Sequence, residues 1–346
     1  MSKIDVSIIV PCRNETKFIA QFLDSLLAND CPKLSLEIII ADGMSDDGTR
    51  DIIQAYISEH PEIILLDNLK KITPTALNLG IMSAKGEVIM RMDVHAKYPS
   101  NYINALVSAL FETQADNVGT VCVTLPENNT LIAQAIATAM SHPFGVGNSY
   151  FRIGVSERRW VDTVPFGCYR REIFERIGLY DEELLRNQDD ELNLRLIKHG
   201  GKILLLPEIV TYYYARDSIA KLWKMYYQYG YYKPLVALKL GGFYTLRQLV
   251  PAALVASLSV LSLLAPWFSV ALALDSLLVT LYLAAILFVS GMLALRSHKI
   301  SSLVLPLIFP VIHIAYGCGF LLGFFQQVLG RKFSTGTIGQ DMDLSR

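Results

Sequence analysis

Three short polar clusters in this chain carry side chains that could bind charge or move a proton. The first is Ala41-Asp42-Gly43-Met44-Ser45-Asp46-Asp47-Gly48-Thr49. Asp42 follows an apolar run and precedes a glycine. Its carboxylate can then stand free and accept hydrogen bonds from a nucleobase N–H or from ribose hydroxyls. One of Ser45, Asp46 and Asp47 caps the helix that follows, and Asp46 reads as a structural or solvated residue. The second cluster, Asp93-Val94-His95, closes another apolar run. Residues i and i+2 of an extended chain point the same way, so both side chains could reach one divalent cation; the alternative is a loop cap. A carboxylate with an imidazole suits Mn²⁺, whereas Mg²⁺ prefers oxygen ligands. Such a cation would bridge a diphosphate and neutralise a leaving nucleotide. The third cluster, Gln188-Asp189-Asp190-Glu191, leads into Leu192-Asn193-Leu194-Arg195-Leu196. Its acids are either an ordinary helix amino terminus, stabilised by the macrodipole, or they include a general base for a hydroxyl nucleophile.

These clusters need a scaffold that gathers them. Residues 6–10, 37–41, 63–66 and 88–92 are short, apolar and β-branched. Each is followed by turn residues and then by a helical pattern, over 17–27, 48–58, 74–84 and 101–113. Strands alternating with helices predict an α/β domain with a parallel sheet, whose ligands bind at the carboxyl ends of the strands. Pro11-Cys12-Arg13-Asn14-Glu15 and the first two clusters fall at those ends. No GxxxxGK[ST], GxGxxG or GxSxG pattern is present, which excludes the usual nucleoside-triphosphate, dinucleotide and serine-hydrolase signatures. The five cysteines are scattered without a Cys-x-x-Cys pair and read as reduced thiols, not as a disulfide framework or zinc cluster.

Composition divides the 346 residues further. The chain is 52% hydrophobic and 18% charged, and its formal charge of −1 excludes a strongly basic nucleic-acid binder. That near-neutrality is local cancellation: residues 1–211 hold 20 basic and 28 acidic side chains, and residues 212–247 hold 6 and 1. Residues 248–330 contain only Asp275, Arg296 and Lys299 as charges, enough apolar length for about three membrane-spanning helices. A break near Pro266-Trp267 separates the first two, and Pro306 and Pro310 kink or delay the third. The expected organisation is a soluble domain over 1–211, a basic collar over 212–247, spans over 248–330 and a polar tail over 331–346. Eight of the 17 tyrosines fall in residues 212–232, interleaved with Arg216, Lys221, Trp223 and Lys224. That mixture predicts an amphipathic helix in the headgroup layer, or one packed on the soluble domain. No cleavable signal peptide is expected, so the amino-terminal domain faces the cytosol. The basic loop Arg296, His298 and Lys299 would face it too. Three spans would then place Arg331 and Lys332 outside, which a re-entrant third segment would avoid.

With these residues in view, the chain resembles family 2 glycosyltransferases of the GT-A fold over about residues 4–230. The resemblance rests on VSIIVPCRNE (6–15), ADGMSDDGT (41–49), TPTALNLGI (73–81), AKGEV (84–88), FGCYRR (166–171) and IGLYDE (177–182). The wording of ADGMSDDGTR, RMDVHAKYP and NQDDELNLRL is similar to a subgroup of succinoglycan-biosynthesis glucosyltransferases. The resemblance implies a Rossmann-like, mostly parallel GT-A sheet and inverting transfer from a nucleotide-sugar, usually UDP-linked, with Mn²⁺ or Mg²⁺ as cofactor. It assigns Pro11, Arg13, Glu15, Asp42, Ser45, Asn78, Arg91 and Asp93 to the donor, Asp93 and His95 to the metal, and Asp189 to the base, with Asp190 as the alternative. Two departures stand out. The family's Asp-x-Asp is Asp93-Val94-His95 here, and its Glu-Asp pair is Gln188-Asp189, which removes an acid able to raise its neighbour's pKa. The Gln-x-x-Arg-Trp box of processive synthases is missing, leaving Gln228-Tyr229-Gly230, so a single addition is expected. The resemblance thus implies hexose transfer, first of glucose from UDP-glucose, to a polyprenyl-diphosphate-linked saccharide at the plasma membrane in exopolysaccharide assembly, with membrane lipids but no nucleic acid as partners. A bare polyprenyl-phosphate acceptor and a non-enzymatic scaffold are the alternatives.

Overall fold

Each apolar run of the first hundred residues becomes a strand, because a run bounded by turn residues can be buried on both faces of a sheet. The computed structural model describes residues 4–31, 33–243 and 245–330; the expected polar tail over 331–346 lies outside the described residues. In chain order the first elements are β1 (Val6–Cys12), α1 (Ile19–Leu27), β2 (Leu36–Asp42), α2 (Thr49–Glu59), β3 (Ile63–Asp67), α3 (Thr73–Ser83) and β4 (Val88–Arg91). Next come β5 (Ala96–Lys97), α4 (Tyr102–Glu112), β6 (Asn117–Leu125), α5 (Leu131–Met140), α6 (Pro143–Val146), α7 (Tyr150–Ile153), β7 (Arg159–Val161) and β8 (Cys168–Arg170). The last are α8 (Glu172–Ile177), α9 (Gln188–Lys198), β9 (Ile203–Tyr214), α10 (Ile219–Leu240), α11 (Val250–Leu264), α12 (Ser269–Ser297) and α13 (Leu305–Val328).

The strands form one sheet in the order β3-β2-β1-β4-β8-β6-β9-β5, with β7 also paired to β9. The half β3-β2-β1-β4 is parallel, as the alternation of strands and helices predicts. The other half is antiparallel: β4 with β8, β6 with β8, and β9 with β5 and β7. The sheet is therefore mixed, and its parallel character is confined to the first half. Its core is aliphatic, with Ile8, Val10, Ile38, Ile40 and Met90 fully or almost fully buried beneath Leu23 and Leu106.

The chain divides into two compact units. Residues 4–123 with Gly154–Tyr213 make the first, and Thr124–Ile153 with residues 214–330 make the second. Among the described residues the chain thus crosses between units three times, the third time at 213/214, where a single boundary at 211 was expected. The sequence did not predict that Thr124–Ile153, carrying α5 to α7, belongs with the apolar helices. His313 Nε2 and the Phe144 carbonyl lie 2.7 Å apart, and the Phe144 ring packs edge-on against Phe309, which ties this excursion to α13.

Leu246–Leu264, Ser269–Ser297 and Ile300–Val328 are long and apolar enough to cross a membrane. Of these the third is 44% buried within the protein, against 17% and 11% for the first two. Its cover comes from α10. A Cβ on Gly230 would collide with the Tyr316 carbonyl oxygen, one on Gly319 with that of Tyr227, and one on Gly323 with that of Tyr231. Small residues spaced by four let two helix backbones touch, the device that drives association where no hydrophobic force exists. α10, which carries most of the expected basic collar, is packed along α13 on one of its faces. Tyr226, Tyr231 and Tyr232 are buried, and the Tyr231 hydroxyl donates to Gln326 of α13.

Candidate active site

At the carboxyl ends of β1 and β2, two loops are stapled by side-chain hydrogen bonds. Asp42, the last residue of β2, is fully buried. Its carboxylate does not stand free. It accepts from Ser45 N at 2.9 Å, from Ser45 Oγ at 2.5 Å and from Arg50 Nη1 at 2.7 Å, so Oδ1 keeps an open lone pair while Oδ2 is filled. Arg50 also reaches Asp67 at 2.7 Å. Sequence reasoning missed Arg50, although a signal existed: Asp42 and Asp67 end neighbouring parallel strands in register, and two adjacent carboxylates call for a cation.

Ser45 is a bridge as well as a donor, because its Oγ accepts the Asn14 N–H at 2.8 Å. Asn14 takes a left-handed conformation (φ 53°) and accepts the Asp46 N–H at 3.1 Å, while Glu15 N donates to Thr49 Oγ1 at 2.9 Å. The N-cap of α2 is Gly48, left-handed (φ 93°) and without a side-chain cap, so none of Ser45, Asp46 and Asp47 holds the expected cap position; Asp47, one residue earlier, accepts from Thr49 N at 3.1 Å and from Thr16 N at 3.2 Å. Burial works against its charge, but the hydrogen bonds from Thr16 and Thr49 prevail and hold Asp47 down to about 2. Asp46 is exposed, as expected. Gly43 has a steric reason: a Cβ there would lie 3.0 Å from Cδ of Arg13, whose stem crosses the end of β2. Arg13 forms no ion pair among the described residues, so its guanidinium is available to an anion. Pro11 lies beyond Ile9, the last residue of β1 paired with β4, so its missing N–H costs no ladder bond.

The second cluster differs from its expected geometry. β4 ends at Arg91, and Asp93-Val94-His95 is a turn closed by Ala96 N donating to the Asp93 carbonyl at 3.2 Å. The alternation rule for extended chain therefore does not orient Asp93 and His95. Instead Arg91 grips Asp93 through two bonds, Nε to Oδ1 at 2.8 Å and Nη2 to Oδ2 at 2.9 Å. Burial opposes the Arg91 charge, but Asp93, together with Tyr180 and Asp189, raises its pKa well above the ordinary value. Asp93 N donates to the Tyr98 hydroxyl at 2.8 Å, which fixes the turn from behind. His95 Nδ1 sits 3.4 Å from Glu15 Oε1 and has no hydrogen-bond partner. No three His, Cys, Asp or Glu side chains converge on one point among the described residues. Asp93 and His95 thus present two donors, one of them an orphaned imidazole nitrogen. A carboxylate and an unpaired imidazole nitrogen are donor types that would suit a divalent cation.

Asn78 has a role other than the expected one. Its amide donates to the Tyr180 carbonyl at 2.9 Å and Glu182 Oε1 at 3.1 Å and accepts the Tyr180 N–H at 2.9 Å. Both amide protons are spent, so Asn78 positions the 180–182 segment and has none left for a phosphate.

The third cluster opens α9, behind Asn187 in a left-handed conformation (φ 62°). The helix is pinned from two sides. Glu191 pairs with Arg195 at 2.8 Å, and Arg195 reaches the carbonyls of Ile177 and Leu179. Asn193, fully buried, bonds Thr163 and Val164 and accepts from Asn117. Asp189 Oδ1 accepts the Asp190 N–H at 2.9 Å, and its second oxygen carries no hydrogen bond among the described residues. Asp189 and Asp190 are both half-buried. The field of Asp189 reaches Arg91, Tyr169 and Tyr180, so the starts and ends of distant elements do meet here.

A parallel β3-β2-β1-β4 half with acids at its carboxyl ends, continued by antiparallel strands, defines a GT-A-like α/β enzyme. Residues 7–178 match glycosyl transferase family 2. The succinoglycan biosynthesis protein ExoA of Rhizobium meliloti (strain 1021) is 33% identical over 248 residues, 71% of this chain and 74% of that one. The dolichyl N-acetyl-alpha-D-glucosaminyl phosphate 3-beta-D-2,3-diacetamido-2,3-dideoxy-beta-D-glucuronosyltransferase of Methanococcus voltae is 29% identical over 326 residues, 92% of this chain and 96% of that one. Mannosyltransferase PcManGT from Pyrobaculum calidifontis, solved with GDP-Man and Mn²⁺, shares the fold with a TM-score of 0.60 at 20% identity, over 92% of this chain and 88% of that one. The chain belongs to glycosyl transferase family 2, and it is a glycosyltransferase.

Proposed function

We propose that this enzyme is a membrane-anchored inverting hexosyltransferase. It takes a hexose from a UDP-sugar, with UDP-glucose the first candidate, and adds it to a polyprenyl-diphosphate-linked saccharide during exopolysaccharide assembly. The observation that carries the reading is the open oxygen of Asp189 on a helix pinned by Glu191, Arg195 and Asn193. In this mechanism Asp42 accepts a hydrogen bond from a base N–H or a ribose hydroxyl with its remaining lone pair, and Arg13 meets the diphosphate. An acceptor hydroxyl attacks the anomeric carbon, its proton passes to Asp189, and the bond from that carbon to the diphosphate oxygen breaks. Asp93 and His95 would hold a divalent cation, Mn²⁺ or Mg²⁺, whose chemistry there is to neutralise charge on the departing diphosphate. Arg91, kept charged by Asp93, adds a fixed positive charge.

The Methanococcus voltae relative is named for transfer to a sugar already carried on a lipid phosphate, which supports a lipid-linked saccharide as acceptor over a bare lipid phosphate. The basic loop of Arg296, His298 and Lys299 supports a plasma-membrane topology with the sheet and this loop on the cytosolic side. The test is a screen of UDP- and GDP-sugars with each metal on the full-length protein in lipid nanodiscs. The expected result is transfer from UDP-glucose to a polyprenyl-diphosphate-linked sugar. Transfer only from GDP-sugars would overturn the donor, and transfer to bare polyprenyl phosphate would overturn the acceptor.

A further inference from the structure

The second unit contains a cavity of about 590 Å³ that the transfer chemistry does not use. One wall is α5 with Thr124 and Leu125, and the other is the end of α12 with the Lys299–Ser301 turn. Its lining is mixed in a specific way. Leu125 and Leu293 give it apolar surface, while Lys299 and His142 give it one full charge and one titratable ring, and no acid lines it. Lys299 has no ion pair among the described residues, and Arg296 lies close enough to act on His142. The His142 Nδ1 accepts the Phe144 N–H at 3.2 Å, so the neutral ring carries its proton on Nε2 and is a donor there.

Two further groups look for a partner. Thr124 (7% exposed) and Ser301 (1% exposed) each hold a hydroxyl shut from solvent with no hydrogen-bond partner. A buried unpaired hydroxyl is destabilising, so its retention needs a reason. Both residues line the cavity. A lysine, neutral donors and unsatisfied hydroxyls without an acid suit an anion with several acceptor oxygens. The apolar lining and the position at the ends of α12 and α13, two of the helices long enough to span a bilayer, suit an anion that carries a hydrocarbon tail.

We propose that this cavity binds the phosphate group of a membrane lipid, with Lys299 opposing its charge and His142, Thr124 and Ser301 donating to its oxygens. The proposal needs the membrane placement of the long helices but not the identity of the sugar. The test uses full-length protein in phosphatidylcholine nanodiscs supplied with polyprenyl phosphate, with phosphatidylglycerol, or with inorganic phosphate, and reads retained ligand by native mass spectrometry. The wild type should retain a lipid phosphate, and Lys299→Ala should weaken retention about tenfold, as should Thr124→Val with Ser301→Ala. Lys299 is exposed, so its substitution leaves folding intact, and UDP binding measured in parallel reports the donor site separately. Preference for polyprenyl phosphate would identify the lipid as acceptor-like, and equal retention of phosphatidylglycerol would identify it as a bulk anionic lipid; both support the site. Retention of inorganic phosphate without either lipid would overturn the proposal. Equal retention by wild type and both variants would overturn it too.

Discussion

At the strand ends of the first unit, side chains reach across the chain for one another. Asp42, Ser45, Asn14, Asp47 and Thr49 satisfy one another so fully that few donors or acceptors remain. In the second unit the equivalent precision comes from backbones that touch: Gly230, Gly319 and Gly323 let α10 and α13 approach until a single methyl group would not fit. Buried polar groups are left unpaired in both units, His95 in the first and Thr124, Ser290 and Ser301 in the second. Two solvents explain the contrast. Where water competes for every hydrogen bond, a site is fixed by completing its own network. In an apolar bundle, close packing of backbones fixes the helices. The first kind of region should lose function when a group is removed, and the second should lose structure when one is added.

The largest expected effect tests the first half of that statement. Asp189→Asn should lower the transfer rate by about 10²- to 10⁴-fold, the usual contribution of a general base, while UDP affinity by calorimetry stays near that of wild type. A variant with wild-type rates would pass the role to Asp190. Next, Gly319→Val drives a branched side chain into the Tyr227 carbonyl and should cost about 3 kcal/mol, read as a lower unfolding midpoint in detergent. An unchanged midpoint would break the account of α10 and α13. Arg50→Met tests the network from the other side. It leaves buried Asp42 with Ser45 alone, and because Arg50 is itself nearly a third exposed the stability loss should be about 1–2 kcal/mol. UDP binding should weaken in parallel, because Asp42 is then free to turn.

The smallest effect is a pH dependence. The Asp47 carboxyl is held at about 2 in the folded protein against an ordinary 3.8. A depressed acid contributes stability that is complete above about pH 4 and is lost as pH falls through 2. Asp47→Ala should therefore flatten the loss of thermal stability between pH 4 and pH 2 relative to wild type. Equal slopes would mean that the staple between the two loops carries no weight.

Much of the first half of the sheet was legible. The expected strands 6–10, 37–41 and 63–66 are observed as Val6–Cys12, Leu36–Asp42 and Ile63–Asp67; the first two are buried on both faces and so write themselves as continuous apolar sequence, and the third is the half-buried edge strand. The antiparallel half was not. β5 has two residues and β7 and β8 three each, and strands that short exist only through their partners. The same limit hid the excursion Thr124–Ile153. Its helix LIAQAIATAM has the composition of many buried helices, and nothing in it names α13 as the surface it covers. The packing partner of the tyrosine-rich collar was hidden for a related reason. An aromatic and basic helix has the composition of the headgroup layer, but the four-residue spacing of glycines on α13 decides where it packs.

The sequence by itself determined that acids stand at three strand or helix ends, that an α/β sheet gathers them, and that apolar helices follow. These features are local: strand and helix periodicity repeats every two to four residues, and composition needs no partner. Only the tertiary structure decided what each polar group is free to do. Asn78 is consumed by Tyr180, 102 residues away, and Ser45 by Asn14, 31 away. Asp93 is held by its near neighbour Arg91 once the chain turns after β4. A side chain's partners follow from strand register and from where a strand stops, and neither is written in the residues that make the bond.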